Sequence, residues 1–259
     1  MTDPARLSLN LITVDHWSLA EAVERCAAAG IGWVAPWRHQ LAADSARRIE
    51  DVGLRISSLC RGGFFTAPGA DDDNRRAVDE AAELGAPVLV LVCGPPVDGD
   101  LSAARATIAA GIERLLPYAA SCGVRLGIEP LHPMMVGERS AIVTLGEALA
   151  LARSLDDPLV GVIVDAYHVF WDPRLDEELA GARDLIAGYH VSDWLVPTPD
   201  LLAGRGLMGD GIIDLRHLGG LVEAAGYRGP VEVEVINPAL AAIPPDELLA
   251  DIVVRFSRG

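Results

Sequence analysis

The sequence predicts an α/β chain folded as a (β/α)₈ barrel. Three observations carry that prediction: eight short apolar runs rich in β-branched residues, longer alanine-rich helical stretches between them, and a length of 259 residues. Eight units over that length average about 32 residues, the size of one βα repeat. Near-continuous apolar runs are what parallel strands buried on both faces require. The alternative, a doubly wound open sheet, lacks its signature, because no G-x-G-x-x-G follows the first strand. No linker or low-complexity segment divides the chain, so residues 1–259 read as a single domain.

The elements follow in order. Strand one is expected over Leu7–Ile12. Ser18 suits an N-cap for a helix over Leu19–Ala29, and Gly30 suits its C′ position. Strand two follows at Gly32–Trp37, then a helix over Asp44–Val52 ended by Gly53. Strand three is expected at Leu54–Leu59. The helix over Asp72–Leu84 opens on three aspartates, which suit the positive end of a helix dipole, and closes at Gly85. Strand four is Val88–Val92, followed by a helix over Ser102–Ser121. Strand five at Val124–Ile128 and a helix over Leu145–Ser154 come next. Strands six and seven are Val160–Val164 and Ile186–Val191. Val196–Asp210 is the longest irregular stretch, rich in Pro and Gly, and loops of that length are often functional. A helix over Leu215–Ala225, closed by Gly226, leads to strand eight at Val231–Val235. Leu248–Phe256 is the closing helix.

Composition narrows the chemistry. Hydrophobic residues make up 51% of the chain, enough for a large core, and the net charge is −16. An acidic surface repels phosphate backbones and anionic membranes, so neither nucleic acid nor a membrane is an expected partner. All 21 basic residues are arginine, which excludes Schiff-base and lysine general-base chemistry. Cys26, Cys60, Cys93 and Cys122 show no CxxC spacing and read as buried thiols of a reducing compartment. The N-terminus lacks a signal-peptide pattern, and the longest apolar run is too short to cross a bilayer. A cytoplasmic protein is expected. Nothing in the pattern argues against a homo-oligomer.

In such a barrel the active site lies at the C-terminal strand ends. Strand five ends at Glu129. Asp165 ends strand six, with His168 three residues on. His190 and Asp193 end strand seven, and strand eight carries Glu232 and Glu234 on one face. Glu129, Asp165, His190 and Glu234 are 36, 25 and 44 residues apart, so consecutive units each deliver one polar group to the same rim. Three carboxylates and one imidazole suit a single divalent cation: Mn²⁺ first, with Mg²⁺, Co²⁺ or Zn²⁺ as alternatives. A metal would offset the cost of placing those charges at the ends of apolar strands. Trp17, Trp37, Arg38, His39, Arg61 and His132 also follow strand ends and are candidates for lining a sugar pocket. Arg205 lies in the long loop and is a candidate to close over substrate.

The motifs GIEPLHP, VDAYH, GYHVSD, GDGIID and GYRGPVEVEV, spread over most of the chain, resemble the xylose isomerase-like TIM-barrel superfamily. That resemblance implies that Glu129, Asp165, His190 and Glu234 bind the metal. It also implies that Glu129 and Glu234 move a proton on the substrate carbon next to a carbonyl. His168 is then expected to hydrogen-bond a substrate oxygen and Asp193 either to support a metal ligand or to contact substrate, with His132, His39 and Arg205 as further contacts. The leading expectation is a metal-dependent isomerase or epimerase of a ketose or polyol. The second is a dehydratase of the inosose or dehydroshikimate type, which shares the first step. The third is a sugar-binding barrel without catalysis. The absent lysine separates the chain from xylose isomerase itself, and the few histidines separate it from three-metal endonucleases.

Overall fold

The computed structural model describes residues 3–258. The chain runs β1 (Leu7–Asn10), α1 (Leu19–Ala28), β2 (Trp33–Ala35), α2 (Ser45–Asp51), β3 (Arg55–Ile56), β4 (Leu59–Gly63) and α3 (Ala70–Leu84). It continues through β5 (Val88–Val92), α4 (Leu101–Cys122), β6 (Arg125–Glu129), α5 (Leu145–Leu155), β7 (Val160–Asp165), α6 (Ala166–Val169) and α7 (Leu175–Ala182). It ends with β8 (Ile186–Val191), β9 (Asp193–Trp194), β10 (Arg205–Gly206), α8 (Leu215–Ala224), β11 (Val231–Val233) and α9 (Pro245–Arg258).

Nine parallel segments form one sheet in the order β3-β2-β1-β11-β8-β7-β6-β5-β4. The two ends of that order belong to one bent strand. β3 pairs with β2, β4 pairs with β5, and the chain breaks at Ser57 and Ser58 between them. The Cys60 amide donates to the Pro36 carbonyl, and Trp37 bridges Cys60, which carries the ladder across the gap. The nine segments therefore fill eight barrel positions. Strand three was expected as one run, Leu54–Leu59; instead it splits and extends to Gly63. The Ser57 hydroxyl bonds the Ser8 hydroxyl at 2.8 Å, a polar link in the barrel wall that no hydropathy pattern reports.

The helices form where caps and apolar faces coincide. Ser18, Asp100, Thr144 and Asp214 each accept from a backbone N–H in the first turn of α1, α4, α5 and α8. Gly85 and Gly123 end α3 and α4 in the left-handed conformation. The helical residues expected around α1, α2, α3, α4, α5, α8 and α9 are helical within a few positions of their predicted ends. α7 went unassigned; it is short, and its apolar face is Leu175, Leu179 and Ala182. Val196–Asp210 is not wholly irregular: β10 within it pairs antiparallel with β9.

Two cores result. The larger lies between sheet and helices, with Leu9, Leu89, Leu126, Val164, Leu149 and Ile252 among its fully buried members. A smaller one fills the lumen with Cys60, Val88, Val90, Ile163 and Ala187, capped by Trp37. Gly127 makes room for it: a Cβ there would stand 2.6 Å from the Ile163 Cδ1. The rest of the lumen is polar and leads to the C-terminal rim.

Candidate metal and catalytic site

Four strand ends bring Glu129, Asp165, His190 and Glu234 together. One ligand-type atom from each lies within 4.8 Å of the other three, and all four residues are buried. β6 ends on Glu129, β7 ends on Asp165, His190 is the fifth residue of β8, and Glu234 follows β11. Register aligns them, since Asp165 stands opposite His190 across β7 and β8.

The donor set fits a divalent cation. Glu129 Oε1 and both His190 ring nitrogens are buried without a hydrogen-bond partner of good geometry. The His190 Nδ1 lies 3.5 Å from Glu129 Oε1 and 3.7 Å from Glu234 Oε2. Buried polar atoms are normally paired, so an orphaned cluster of this composition marks a place for a cation.

Behind the cluster stands Glu232, whose role the sequence alone did not reveal. It faces His190 directly in the β11–β8 register, with its Oε2 3.2 Å from His190 Nε2. The Asn10 amide donates to both Glu232 at 3.2 Å and Glu234 at 3.3 Å. The Trp37 indole donates to Asn10 Oδ1 at 2.7 Å, which fixes the orientation of that amide. Glu232 thus places a carboxylate beside Nε2, while Nδ1 faces Glu129 and Glu234.

Arg205 is the largest departure from expectation. It was expected to close over substrate from a loose loop. Instead it belongs to β10, is buried, and reaches the cluster itself. Its Nη1 donates to Glu234 Oε2 at 2.9 Å and Asp165 Oδ2 at 3.2 Å. The guanidinium lies 4.6 Å over the Tyr167 ring. Burial alone would raise Glu234, but Arg205 and His190 outweigh it and hold the carboxyl far below its usual range. Burial dominates at Asp165 and pushes it up to about 7, against the pull of Arg205. Glu129 is also raised by burial. For His190 burial is overcome by Glu232, Glu129 and Glu234, which raise the imidazole well above its ordinary value.

His168 is buried beside the cluster, and burial followed by the Arg205 charge keeps it neutral. The His132 amide donates to its Nδ1 at 3.2 Å, so the ring proton sits on Nε2. That Nε2 faces Asp165 Oδ2 at 3.5 Å and Arg205 Nη2 at 3.2 Å. Two donors confront each other in the Arg205 contact, so it is a close approach without a hydrogen bond. His132 is half-buried, with its ring 4.8 Å from Trp194, which stacks on Tyr167 at 4.7 Å.

Other expected contacts lie elsewhere. Asp193 is fully buried, and its carboxylate accepts from the amides of Trp194, Gly209 and Ile213. It organises the long loop through these three backbone amides. His39 is exposed and pairs with Asp15 at 2.7 Å on the outer rim. Arg38 is bound to Asp73 and Glu80 of α3, and Trp17 is buried in the helix-facing core. Neither lines a pocket over the cluster.

The fold and site together define the class, a parallel (β/α) barrel with buried acidic and imidazole groups converging at its C-terminal rim. Within it, the chain belongs to the xylose isomerase-like TIM barrel family, whose profile matches residues 20–258. Two curated 3-dehydroshikimate dehydratases, from Pseudomonas putida and Pseudomonas aeruginosa, are 28% and 30% identical over 90% and 88% of this chain. The chain spans only 38% and 37% of their lengths. A ketose 3-epimerase of Arthrobacter globiformis is 25% identical over 64% of this chain and 55% of its own. A crystal structure of a Sinorhizobium meliloti protein superimposes with a TM-score of 0.94 at 46% identity, covering 99% of this chain and 98% of that one.

Proposed function

We propose that the protein is a divalent-metal-dependent isomerase or epimerase. It would move a proton on the carbon next to the carbonyl of a ketose or related polyol. One observation carries this reading: three carboxylates and an imidazole, all buried, lie within 4.8 Å of one another with orphaned polar atoms among them. Glu129, Asp165, His190 and Glu234 would hold the metal, Mn²⁺ before Mg²⁺, Co²⁺ or Zn²⁺. When bound, it supplies Lewis-acid polarisation of the carbonyl and a neighbouring hydroxyl.

The chain's own residues do the rest. Glu129 and Glu234 come from β6 and the end of β11, with β8 and β7 between them in the ring. They approach a bound substrate carbon from different sides, one removing its proton and the other returning one. The His168 Nε2–H donates to a substrate oxygen. Arg205 orients the substrate once it turns from the carboxylates. The Trp194 and Tyr167 rings cover the site and limit water access.

A second reading is dehydration, favoured by the two Pseudomonas relatives, which match more of the chain than the epimerase does. It begins with the same proton removal and continues with loss of a β-hydroxyl. The test is Mn²⁺-reconstituted protein incubated in D₂O with ketoses, inososes, hydroxypyruvate and 3-dehydroshikimate, followed by NMR and mass spectrometry. Deuterium at the α-carbon without loss of water supports the proposal. Loss of water moves the assignment to dehydratase. No exchange from protein that binds metal rules out both.

A further inference from the structure

We infer that Arg61 and Arg139 form a recognition site for an oxyanion, a carboxylate or phosphate carried by the substrate, at the barrel rim beside Glu129. The inference deepens the reading above and rests on it only in making that anion part of the substrate.

Two guanidinium groups stand without a carboxylate or a hydrogen-bond acceptor. The chain carries 37 acidic residues against 21 arginines, so carboxylates are plentiful. Yet among the described residues Arg61 and Arg139 are the half-buried arginines with neither an ion pair nor a side-chain hydrogen bond. Their neighbours show the contrast. Arg38 engages both Asp73 and Glu80, and Arg76 also takes Asp73. The carboxylate whose charge bears on Arg61 is therefore already spent. A half-buried arginine gives up part of its hydration, and leaving its donors unused is costly unless something else accepts from them.

Topology brings the two together. Arg61 sits within β4, and its guanidinium lies 4.2 Å over the Phe64 ring. Arg139 lies in the loop after β6, where its carbonyl accepts from Gly94 N at 3.0 Å. Gly94 in turn abuts Phe64; a Cβ on it would stand 3.1 Å from the Phe64 Cα. The chains bearing Arg61 and Arg139 thus meet through Phe64 and Gly94. Burial first, and the Arg139 and Arg38 charges after it, lower the Arg61 guanidinium. Two like charges held near each other are unfavourable alone and favourable around an anion.

Position links the pair to the site. Phe64 packs on an apolar cluster of Val92, Leu131, Met135 and Tyr167, with Trp194 on the same cluster. Val92 stands opposite Glu129 in the β5–β6 register. A substrate carbon at Glu129 would extend its substituent along this cluster toward Arg61. Two planar forks suit a carboxylate or a phosphate and do little for a neutral hydroxyl.

The experiment titrates acetate and inorganic phosphate, against chloride at matched ionic strength, into the full-length protein with and without Mn²⁺. Binding is followed by calorimetry. Arg61→Gln and Arg139→Gln are compared with the parent, and an unchanged melting temperature and Mn²⁺ uptake show that they fold. The expected result is saturable binding of at least one oxyanion in both metal states, weakened about tenfold or more in each variant. Whichever anion binds more tightly names the substituent. No saturable binding to metal-free protein, or equal binding by parent and variants, overturns the inference. Either outcome is independent of turnover, so it stands apart from the D₂O experiment.

Discussion

His190 stands between two sets of carboxylates, with Glu232 beside Nε2 and Glu129 and Glu234 beside Nδ1. Glu232→Gln keeps the shape but makes the acceptor toward Nε2 ambiguous. Mn²⁺ affinity is expected to fall about 10- to 100-fold with little change in folding. Calorimetric titration checks it, and an unchanged affinity would show that the His190 tautomer is set elsewhere. Arg205 raises a different question, because it and a metal would claim the same oxygens, Asp165 Oδ2 and Glu234 Oε2. Arg205→Met leaves Asp165 without its guanidinium partner and Glu234 with His190 alone, at a cost of about 3–5 kcal/mol in metal-free protein. Added Mn²⁺ should then raise the melting temperature more in the variant than in the parent. Equal increments in the two would rule out competition. At this scale legibility followed burial. Glu129, Asp165, His190 and Glu234 stood out because they interrupt apolar strands. Glu232 was visible on the same face as Glu234, but its purpose depends on a β11–β8 register that no local pattern encodes. Asp193 follows His190 closely in sequence, and only the path of the loop shows that its carboxylate accepts from backbone amides.

The elements were legible where two signals agreed. α1, with a serine cap, an apolar face and a closing glycine, was readable to within a residue. β5 was readable to its ends, because a parallel strand buried on both faces leaves no polar residue to blur it, and so was β8, although it carries His190. The third barrel strand was not, since its break is imposed by a bend in the wall and by the Ser8–Ser57 link. At the end of that strand Gly63 has φ 107°, and a Cβ would lie 2.0 Å from the Val92 carbonyl oxygen. Gly63→Ala should therefore cost roughly 2–4 kcal/mol through backbone strain and the displaced ladder. Urea denaturation measures it. A loss under about 0.5 kcal/mol, the range of ordinary surface changes, would mean that β4 can slide without penalty.

The molecule as a whole separates stability from chemistry. The large core lies outside the barrel wall, while the lumen divides into an apolar plug around Ile163 and a polar rim. That division was legible from the alternation of strands and helices, whereas the route into the rim was not. Among the described residues no helix is long and apolar enough to cross a membrane. Arg205 lies against the cluster, and its backbone is tied down on several sides. β10 pairs with β9, the Asn237 amide donates to the Arg205 carbonyl at 2.8 Å, and Asp193 holds the loop that follows. Arg205 is therefore expected to give way to a substrate by rotation of its side chain about a fixed backbone, not by the swing of a flap. Flap motions take microseconds to milliseconds and often set turnover, whereas side-chain rotations are far faster. The catalytic rate should accordingly be indifferent to added viscogen, and a rate falling in proportion to solvent viscosity would mean that the hairpin itself travels.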